Sequence, residues 1–331
     1  MRKRKNDVSN QDPDFPSRGI SGSLRLTVND VVVLSQNNKK PGSTLHVHHH
    51  PRPESDRPSA SLHAESLGLA KSHGRLAGRR IIVVGAGQRK IIDEEPPIGN
   101  GRAMSVLFAR EGAHVACIDV NREAADNTVA QIAKEGGKAF ADIVDVSDIT
   151  AIAPAVERCA KQLGGLDGLA LNVGISSGLS LQKMTAEAWD RDYAVNVRSH
   201  MLFAQKALEM MAPGGAIILT SSLASQRANG RNPAYESSKA AQIALGRAIA
   251  RAGEENGIRC NVIAPGFIDS PMGRDASRRR SDRAVTVPFG RQGTGWEVAY
   301  AAMFLISNES SYVNAHTLFL DAGHMAGIVR S

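Results

Sequence analysis

The sequence predicts an α/β protein in which a single doubly wound domain carries a mostly parallel, seven-stranded sheet. From about residue 79 onward, short apolar runs alternate with helix-like segments of roughly 10–15 residues, a pattern typical of βαβ units. The apolar runs lack polar alternation, as strands do when helices cover both faces of their sheet. No run reaches the roughly 18 apolar residues that a membrane-spanning helix needs, so the sequence favours no membrane partner.

Seven apolar runs account for the strands. The first, at 81–85, is apolar throughout and ends in glycine. The other predicted strands lie at 114–119, 138–144, 168–173, 216–221, 259–264 and 317–320. Segments with helical periodicity separate them, at 100–111, 122–136, 148–163, 186–212, 233–256 and 295–306. This order indicates one domain without an internal repeat.

Residues 1–77 have a different composition, rich in Ser, Pro, Asn, His and Arg and without sustained periodicity. We expect a largely disordered tail here, followed by the folded domain at 78–331. A strand-turn-strand pattern at 24–34 is the exception and would suit a small docked hairpin. Four histidines between residues 46 and 50 resemble metal ligands, but a disordered segment cannot fix such a site, so no metal site is predicted.

The formal charge of +7 belongs to this tail. Residues 1–80 contain 14 Lys and Arg against 7 Asp and Glu, whereas residues 81–331 contain 26 of each. A neutral domain gives no electrostatic argument for a specific nucleic-acid partner. The three cysteines have no CxxC spacing and are typical of unpaired thiols, which favours a reducing, cytoplasmic location.

The first strand ends in Gly85-Ala86-Gly87, at the position where a doubly wound sheet binds a dinucleotide. Glycine lets the backbone approach a pyrophosphate, and the next helix offers free N–H groups to it. An insertion of nine residues, 89–97, then precedes Ile98-Gly99. Since the acidic residues 93–95 would be repelled by a pyrophosphate, we expect this insertion to loop outward.

Carboxylates follow the second and third strands. Asp119 can accept hydrogen bonds from both hydroxyls of an adenosine ribose, and its charge would repel a 2′-phosphate. Asp145-Val146 ends the third strand on the same edge of the sheet. The pattern therefore favours NAD over NADP, although Arg122 would suit a 2′-phosphate.

An acid/base pair is predicted on the helix at 233–256. Tyr235 and Lys239 are four residues apart, so they share one face of that helix. A free tyrosine has a pKa near ~10 and is a poor base at neutral pH, but a neighbouring ammonium favours the phenolate. Ser222, after the preceding strand, brings a hydroxyl to the same edge of the sheet. These residue types indicate proton transfer to or from a reacting oxygen.

Taken together, residues 79–325 resemble a short-chain dehydrogenase/reductase of the single-domain, classical type. The resemblance rests on Gly85…Ile98-Gly99, Asp119, Asp145-Val146, Asn172-Val173-Gly174, Asn196, Ser222, Tyr235-x-x-x-Lys239, Pro265-Gly266, 288–293 and Asp321-Ala322-Gly323. The sequence departs from the family pattern at Val84, where threonine is usual, and at Leu171-Asn172-Val173-Gly174, where Asn-Asn-Ala-Gly is usual. The insertion at 89–97 is the third departure.

The resemblance implies a role for each residue of the site. Tyr235 would be the general acid/base, Lys239 would lower its pKa and bind the nicotinamide ribose, and Ser222 would hydrogen-bond the reacting oxygen. Asn196 would hold a water in a proton relay. The implied cofactor-binding residues are Gly85, Gly87, Gln88, Ile98, Gly99, Asp119, Val120, Asp145, Val146, Asn172, Val173, Gly174, Tyr235, Lys239, Pro265, Gly266, Ile268 and Ser270.

The resemblance thus implies a Rossmann-type, NAD-dependent oxidoreductase that interconverts a secondary alcohol and a ketone, as a homo-oligomer and usually a tetramer. A substrate lid is expected at about 268–289, with arginines that either face water or bind an anionic substrate. One alternative is an NADP-dependent ketone or 3-oxoacyl thioester reductase. The other is a non-catalytic dinucleotide-binding sensor whose basic tail binds nucleic acid; the complete set of acid/base residues opposes it.

Overall fold

The computed structural model describes residues 62–93, 95–279 and 286–328. Within these residues the chain forms an α/β domain with a seven-stranded parallel sheet, so the predicted fold class is confirmed. The prediction of a tail over residues 1–61, with its hairpin at 24–34, lies outside the described residues. Glu94 of the insertion and 280–285 of the predicted lid also lie outside them.

The main sheet contains the strands β1 (Arg80–Val84), β2 (His114–Asp119), β3 (Lys138–Ile143), β4 (Leu166–Leu171), β5 (Met211–Thr220), β6 (Arg259–Pro265) and β9 (Thr317–Leu320). Two short strands, β7 (Ile268–Asp269) and β8 (Gly293–Thr294), pair with each other. The helices are α1 (Asn100–Arg110), α2 (Arg122–Lys134), α3 (Ile149–Leu163), α4 (Ala186–Tyr193), α5 (Ser199–Met210), α6 (Pro233–Ala252), α7 (Pro271–Arg279) and α8 (Gly295–Ile306). None of these described helices has the length and apolar character to cross a membrane.

The strand order β3-β2-β1-β4-β5-β6-β9 determines where a ligand can bind. From β1 the chain proceeds outward through β2 and β3, then returns to the other side of β1 and continues outward from β4. All neighbouring strands pair in parallel, so their carboxyl ends share one edge. The chain direction reverses between β1 and β4, and doubly wound sheets bind ligands in the crevice at such a point.

β1 shows how helices cover both faces of the sheet. Its residues 81–84 are all fully buried. Ile82 and Val84 pack in the layer with α3, α5 and α6, whereas Ile81 and Val83 pack in the layer with α1 and α8. Because successive strand residues point to opposite faces, a strand between two helical layers requires a continuous apolar run.

Two element boundaries differ from the sequence prediction. The helix predicted at 186–212 contains a π-helical turn, Ala194–Arg198, between α4 and α5. π-Helical turns insert one residue into a helix and often occur at functional sites. β5 begins at Met211, ahead of the predicted strand, and its pairing with β4 is irregular before Gly168.

Residues 62–77, which the sequence assigned to the disordered tail, pack against the domain. Leu76 is only 1% exposed, and its N–H donates to Glu111 O at 2.9 Å. The Glu111 carboxylate accepts from the backbone N–H groups of His73 and Arg75 at 3.1 and 2.9 Å. Further along, Ser66 Oγ donates to Glu297 Oε1 at 3.0 Å. The packed structure therefore begins before residue 78, because one carboxylate and one buried leucine anchor a segment that has little other apolar content.

Leu76→Ala should lower the free energy of unfolding by about 2–5 kcal/mol, because it removes a fully buried side chain and leaves a cavity. Denaturant unfolding of the purified chain measures the loss. Leu69→Ala is the matched control, since Leu69 is 74% exposed and its truncation should cost less than about 0.5 kcal/mol. Equal, small losses for both variants would contradict the packing of this segment.

Candidate active site

The candidate site lies at the carboxyl edge of the sheet, where the chain leaves β5 and enters α6. Ser222 closely follows β5, and its Oγ accepts a hydrogen bond from Ala224 N at 3.1 Å. The 3₁₀ turn Leu223–Ser225 packs against α6, which begins at Pro233. Tyr235 lies in the first turn of α6, and both it and Ser222 are half-buried. The structure therefore brings the serine and the tyrosine to one end of the sheet.

Lys239 lies one turn further along α6 and is 3% exposed. Its Nζ donates to Thr220 O at 2.8 Å and lies 5.7 Å from the centroid of the Tyr235 ring. Burial lowers the pKa of Lys239 to about 7, because the charged form loses hydration. In its charged form the ammonium favours the phenolate of Tyr235.

The loop after β4 passes directly over this lysine. A Cβ on Gly174 would lie 3.0 Å from Lys239 Nζ, so a larger residue there would push the ammonium aside by a few tenths of an ångström. Asn196, in the π-helical turn, is fully buried: its Oδ1 accepts from Ile175 N at 2.8 Å, and its Nδ2 donates to Ile175 O at 2.9 Å. The same Nδ2 donates to Ser238 Oγ at 2.9 Å. The side chain of Asn196 therefore holds the loop in place, and its role in a proton relay stays a prediction.

Two buried residues that the sequence analysis missed complete this support. His200 Nε2 lies 3.1 Å from Val173 O, and Gln242 Nε2 lies 2.9 Å from His200 Nδ1 and 2.6 Å from Asn196 O. Because a carbonyl only accepts, His200 carries its hydrogen on Nε2 and accepts at Nδ1. Burial lowers the pKa of His200 to about 3, which keeps the ring neutral. The sequence does contain a signal for this pair: His200 and Gln242 are polar residues on helix faces that are otherwise apolar.

The glycine motif fits a dinucleotide pyrophosphate. Gly85 has φ +79°, and its carbonyl accepts from Asn172 Nδ2 at 3.0 Å. A Cβ on Gly101 would lie 1.8 Å from Gly85 O, so α1 can approach β1 this closely only with glycine. No side chain caps the start of α1 at Gly99, and the buried Asn100 Oδ1 has no hydrogen-bond partner among the described residues. Uncapped N–H groups at a helix N-terminus favour an anion.

The predicted ribose end of the crevice is built around Asp119. Its Oδ2 accepts from Gly87 N at 2.8 Å, and its Oδ1 accepts from Asn121 N at 3.0 Å. Each carboxylate oxygen keeps a further lone pair for a ligand hydroxyl. The next residue, Val120, is 64% exposed beside it.

After β3, the carboxylate of Asp145 accepts from Ser147 N and Ser147 Oγ, at 2.9 and 2.7 Å. Val146 is buried against the core. The Asp145 carboxylate thus stabilises its own turn, while the turn as a whole lies at the same edge of the sheet as Asp119.

The opposite end of the crevice lies under the predicted lid. Pro265 ends β6, and Gly266 N donates to Leu320 O at 2.9 Å. Ile268 pairs with Gly293, and Ser270 Oγ accepts from Gly273 N at 3.2 Å at the start of α7. These contacts fix the base of the lid on the sheet.

The insertion at 89–97, which the sequence analysis expected to loop outward, contacts the lid. Gln88 Oε1 accepts from Gly99 N at 2.8 Å, which closes the base of the loop beside Ile98. At its far end, Asp93 pairs with Arg274 of α7 at 2.8 Å. Basic residues of the lid, distant in sequence, thus attract the acidic loop, and its course away from a pyrophosphate stays a prediction.

The same contacts bear on the lid arginines. Arg274 pairs with Asp269 as well as with Asp93, and Arg278 pairs with Asp275. Both arginines therefore bind carboxylates of this chain. The binding of an anionic substrate by the lid stays a prediction, and residues 280–285 lie outside the described part of the chain.

Comparison with known proteins gives consistent matches. A family model described as enoyl-(acyl carrier protein) reductase matches residues 98–325. The chain is 32% identical over 252 residues to 3-oxoacyl-(acyl-carrier-protein) reductase FabG of Thermotoga maritima, covering 75% of this chain and 98% of the relative. It is 35% identical over 234 residues to cyclopentanol dehydrogenase of Comamonas testosteroni, covering 69% and 94%. A crystal structure of a short chain dehydrogenase from Burkholderia cenocepacia in complex with NADP has 31% identity and a TM-score of 0.67, covering 75% and 98%.

Lys239→Met should remove a pH dependence of folding stability. The pKa of Lys239 is about 7 in the folded protein against 10.5 for a lysine in the unfolded chain. Between these values the unfolded chain binds more protons, so the free energy of unfolding rises with pH, by at most about 1.4 kcal/mol per pH unit. Below about pH 7 the lysine is charged in both states and contributes no slope.

Denaturant unfolding of the unliganded protein between about pH 7 and about pH 8.5 measures this slope, and the unfolded cysteines that titrate near pH ~8.5 affect every variant equally. The wild type should show a steeper rise than Lys239→Met. Lys183→Met is the control, since Lys183 is exposed and its loss should leave the slope as in the wild type. Identical slopes for wild type and Lys239→Met would contradict the depressed pKa.

Proposed function

Because this chain belongs to the classical short-chain dehydrogenase/reductase family of nucleotide-binding oxidoreductases, we propose that it is an NAD-dependent enzyme that interconverts a secondary alcohol and a ketone. The observation that carries the proposal is the buried ammonium of Lys239, 5.7 Å from the Tyr235 ring centroid, at the end of the strand that leads to Ser222. A sheet edge with this acid/base set suits proton transfer next to a bound dinucleotide.

In the proposed mechanism, Asp119, Lys239 and the start of α1 would hold a dinucleotide that would supply the hydride chemistry, and the chain itself moves the proton. Tyr235 gives its phenolic proton to the ketone oxygen during reduction and takes it from the alcohol during oxidation. Lys239 holds the pKa of the phenol down, so that the tyrosine can do both near neutral pH. Ser222 donates a hydrogen bond to the reacting oxygen and orients it toward Tyr235. Hydride and proton together balance the reduction of a carbonyl to an alcohol.

The choice of NAD rests on Asp119, whose carboxylate would accept from ribose hydroxyls and repel a 2′-phosphate. Arg102 lies close enough to interact electrostatically with Asp119, while its Nε donates to Thr128 Oγ1 at 3.1 Å and its Nη2 to Ala124 O at 3.4 Å. Arg122 is exposed at the start of α2. The proposal of NAD therefore rests on the carboxylate of Asp119 alone.

The name of the Thermotoga maritima relative supports a second candidate, an NADP-dependent reductase of 3-oxoacyl thioesters. Under that reading, Arg102 or Arg122 would turn toward a 2′-phosphate. A non-catalytic sensor receives no support, since Ser222, Tyr235 and Lys239 are all present at the site. Homo-oligomer formation and a cytoplasmic location remain predictions.

Tyr235→Phe should reduce kcat by at least about 100-fold, because it removes the oxygen that transfers the proton. The Kd for NADH, measured by fluorescence titration, should stay within about twofold of the wild type, since Lys239 remains for the ribose. Turnover is followed by nicotinamide absorbance with a panel of secondary alcohols. Tyr312→Phe is the control, because Tyr312 is fully exposed. Retention of most activity in Tyr235→Phe would refute the acid/base role.

The wild type should use NAD with a kcat/KM at least about tenfold higher than NADP, which corresponds to about 1.4 kcal/mol. Asp119→Ala should narrow this ratio, since it removes the charge that repels a 2′-phosphate. Asp126→Ala, an exposed carboxylate on α2, should leave the ratio unchanged. A wild type that uses both dinucleotides equally well would show that the assignment of NAD is wrong.

A further inference from the structure

The insertion at 89–97 is anchored at both ends. At its base, Gln88 Oε1 accepts from Gly99 N at 2.8 Å, directly before the N-terminus of α1. At its far end, Asp93 lies against α7, and only 20% of its side chain is exposed. The insertion is therefore a fixed connection between the glycine motif and the lid.

Arg274 is the centre of the contact at the far end. Its Nη1 donates to Asp93 Oδ2 at 2.8 Å, while its Nε and Nη2 donate to the two oxygens of Asp269 at 2.5 and 2.9 Å. The planar guanidinium thus joins the insertion to β7, the strand at the base of the lid. A guanidinium held by two carboxylates forms a network, which contributes more than an isolated surface ion pair.

Two further links connect the same elements. Arg278, one turn after Arg274, donates from Nη2 to Ile92 O at 2.5 Å. Asp275, on the same helix, pairs with Arg89 at the start of the insertion. Acidic and basic groups therefore alternate between the two elements, so that each contributes both charges to the contact.

The strand order shows what lies beneath this contact. The insertion starts after β1 and α7 starts after β6, and β4 and β5 separate those two strands in the sheet. Neighbouring strands are about 4.8 Å apart, so β1 and β6 are about 14 Å apart along the carboxyl edge. Gly174 and Ser222 follow the two strands in between. The contact therefore joins two elements that leave the sheet on either side of Gly174 and Ser222.

We propose that the insertion and α7 form a bridge over the dinucleotide crevice, and that Asp93 is a positioning residue that holds the bridge closed and slows release of the dinucleotide. The proposal rests on the proposed function, because it needs a dinucleotide in the crevice. The ion pairs of the bridge are 20–49% exposed at Asp93, Arg274 and Arg278, so salt should weaken them and speed release.

The test measures how fast bound NADH leaves, by stopped-flow fluorescence after mixing with excess NAD. Asp93→Asn keeps the size of the side chain and removes its charge, and it should raise the release rate at least about threefold. Raising the salt concentration should speed release from the wild type more than from Asp93→Asn. Glu95→Gln is the matched control: it removes an exposed carboxylate of the same loop and should release NADH within about twofold of the wild type.

A second readout needs no ligand. Trypsin can cut after Arg89 and Lys90, and the bridge should protect both sites in the unliganded wild type. Asp93→Asn should be cut faster there, whereas Glu95→Gln should be cut at the wild-type rate. Thermal melting of each variant shows that it is folded before either measurement.

The outcomes separate the two proposals. Tight NADH binding with the same release rate in wild type and Asp93→Asn refutes the bridge and leaves the proposed function intact. If trypsin cuts Asp93→Asn faster but NADH leaves it no faster, the contact exists but does not control release of the dinucleotide, and that part of the proposal is refuted. Failure of the wild type to bind either NADH or NADPH refutes the proposed function, and the bridge as a device for release is refuted with it.

Discussion

The buried ammonium of Lys239 is the constraint on which the rest of the site depends. Moving a cation out of water is costly, and burial lowers the pKa of Lys239 to about 7. In the described residues its one strong partner is the carbonyl of Thr220, at 2.8 Å. Its influence on Tyr235 requires the charged form, so a bound ligand that offers acceptors would strengthen the acid/base pair. In the proposed enzyme, binding of the dinucleotide and activation of the tyrosine would therefore be coupled through the protonation of Lys239.

The loop after β4 lies close to Lys239, and this approach favours a loop residue with no side chain at the point of contact. Gly174 provides the space, and Asn196 binds the backbone of the following residue through both ends of its amide. Gln242 and His200 then tie the Asn196 and Val173 carbonyls to each other. These hydrogen bonds fix the loop before any ligand binds, and such preorganisation is what a catalytic site requires.

The sequence predicted those features of the fold and of the site that depend on local residue patterns. Continuous apolar runs gave the strands, and the spacing of Tyr235 and Lys239 placed both on one helix face. It could not show that Lys239 is buried, since burial depends on how β4, β5 and α6 pack together. It also missed the docking of residues 62–77, where Leu76 and the distant Glu111 anchor a segment of tail-like composition. Contacts between residues far apart in sequence leave no periodic signal.

The electrostatics of the crevice follow from how each carboxylate near it is satisfied. Asp119 accepts from two backbone N–H groups, and Asp93 faces the guanidinium of Arg274. Unpaired, either charge would oppose an anion at the start of α1, where Gly99 leaves the helix uncapped. The uncapped N–H groups of α1 are the part of the crevice that favours a pyrophosphate. In the proposed bridge, Arg274 of the lid holds the carboxylate of Asp93, which ties the electrostatics of the insertion to the position of the lid.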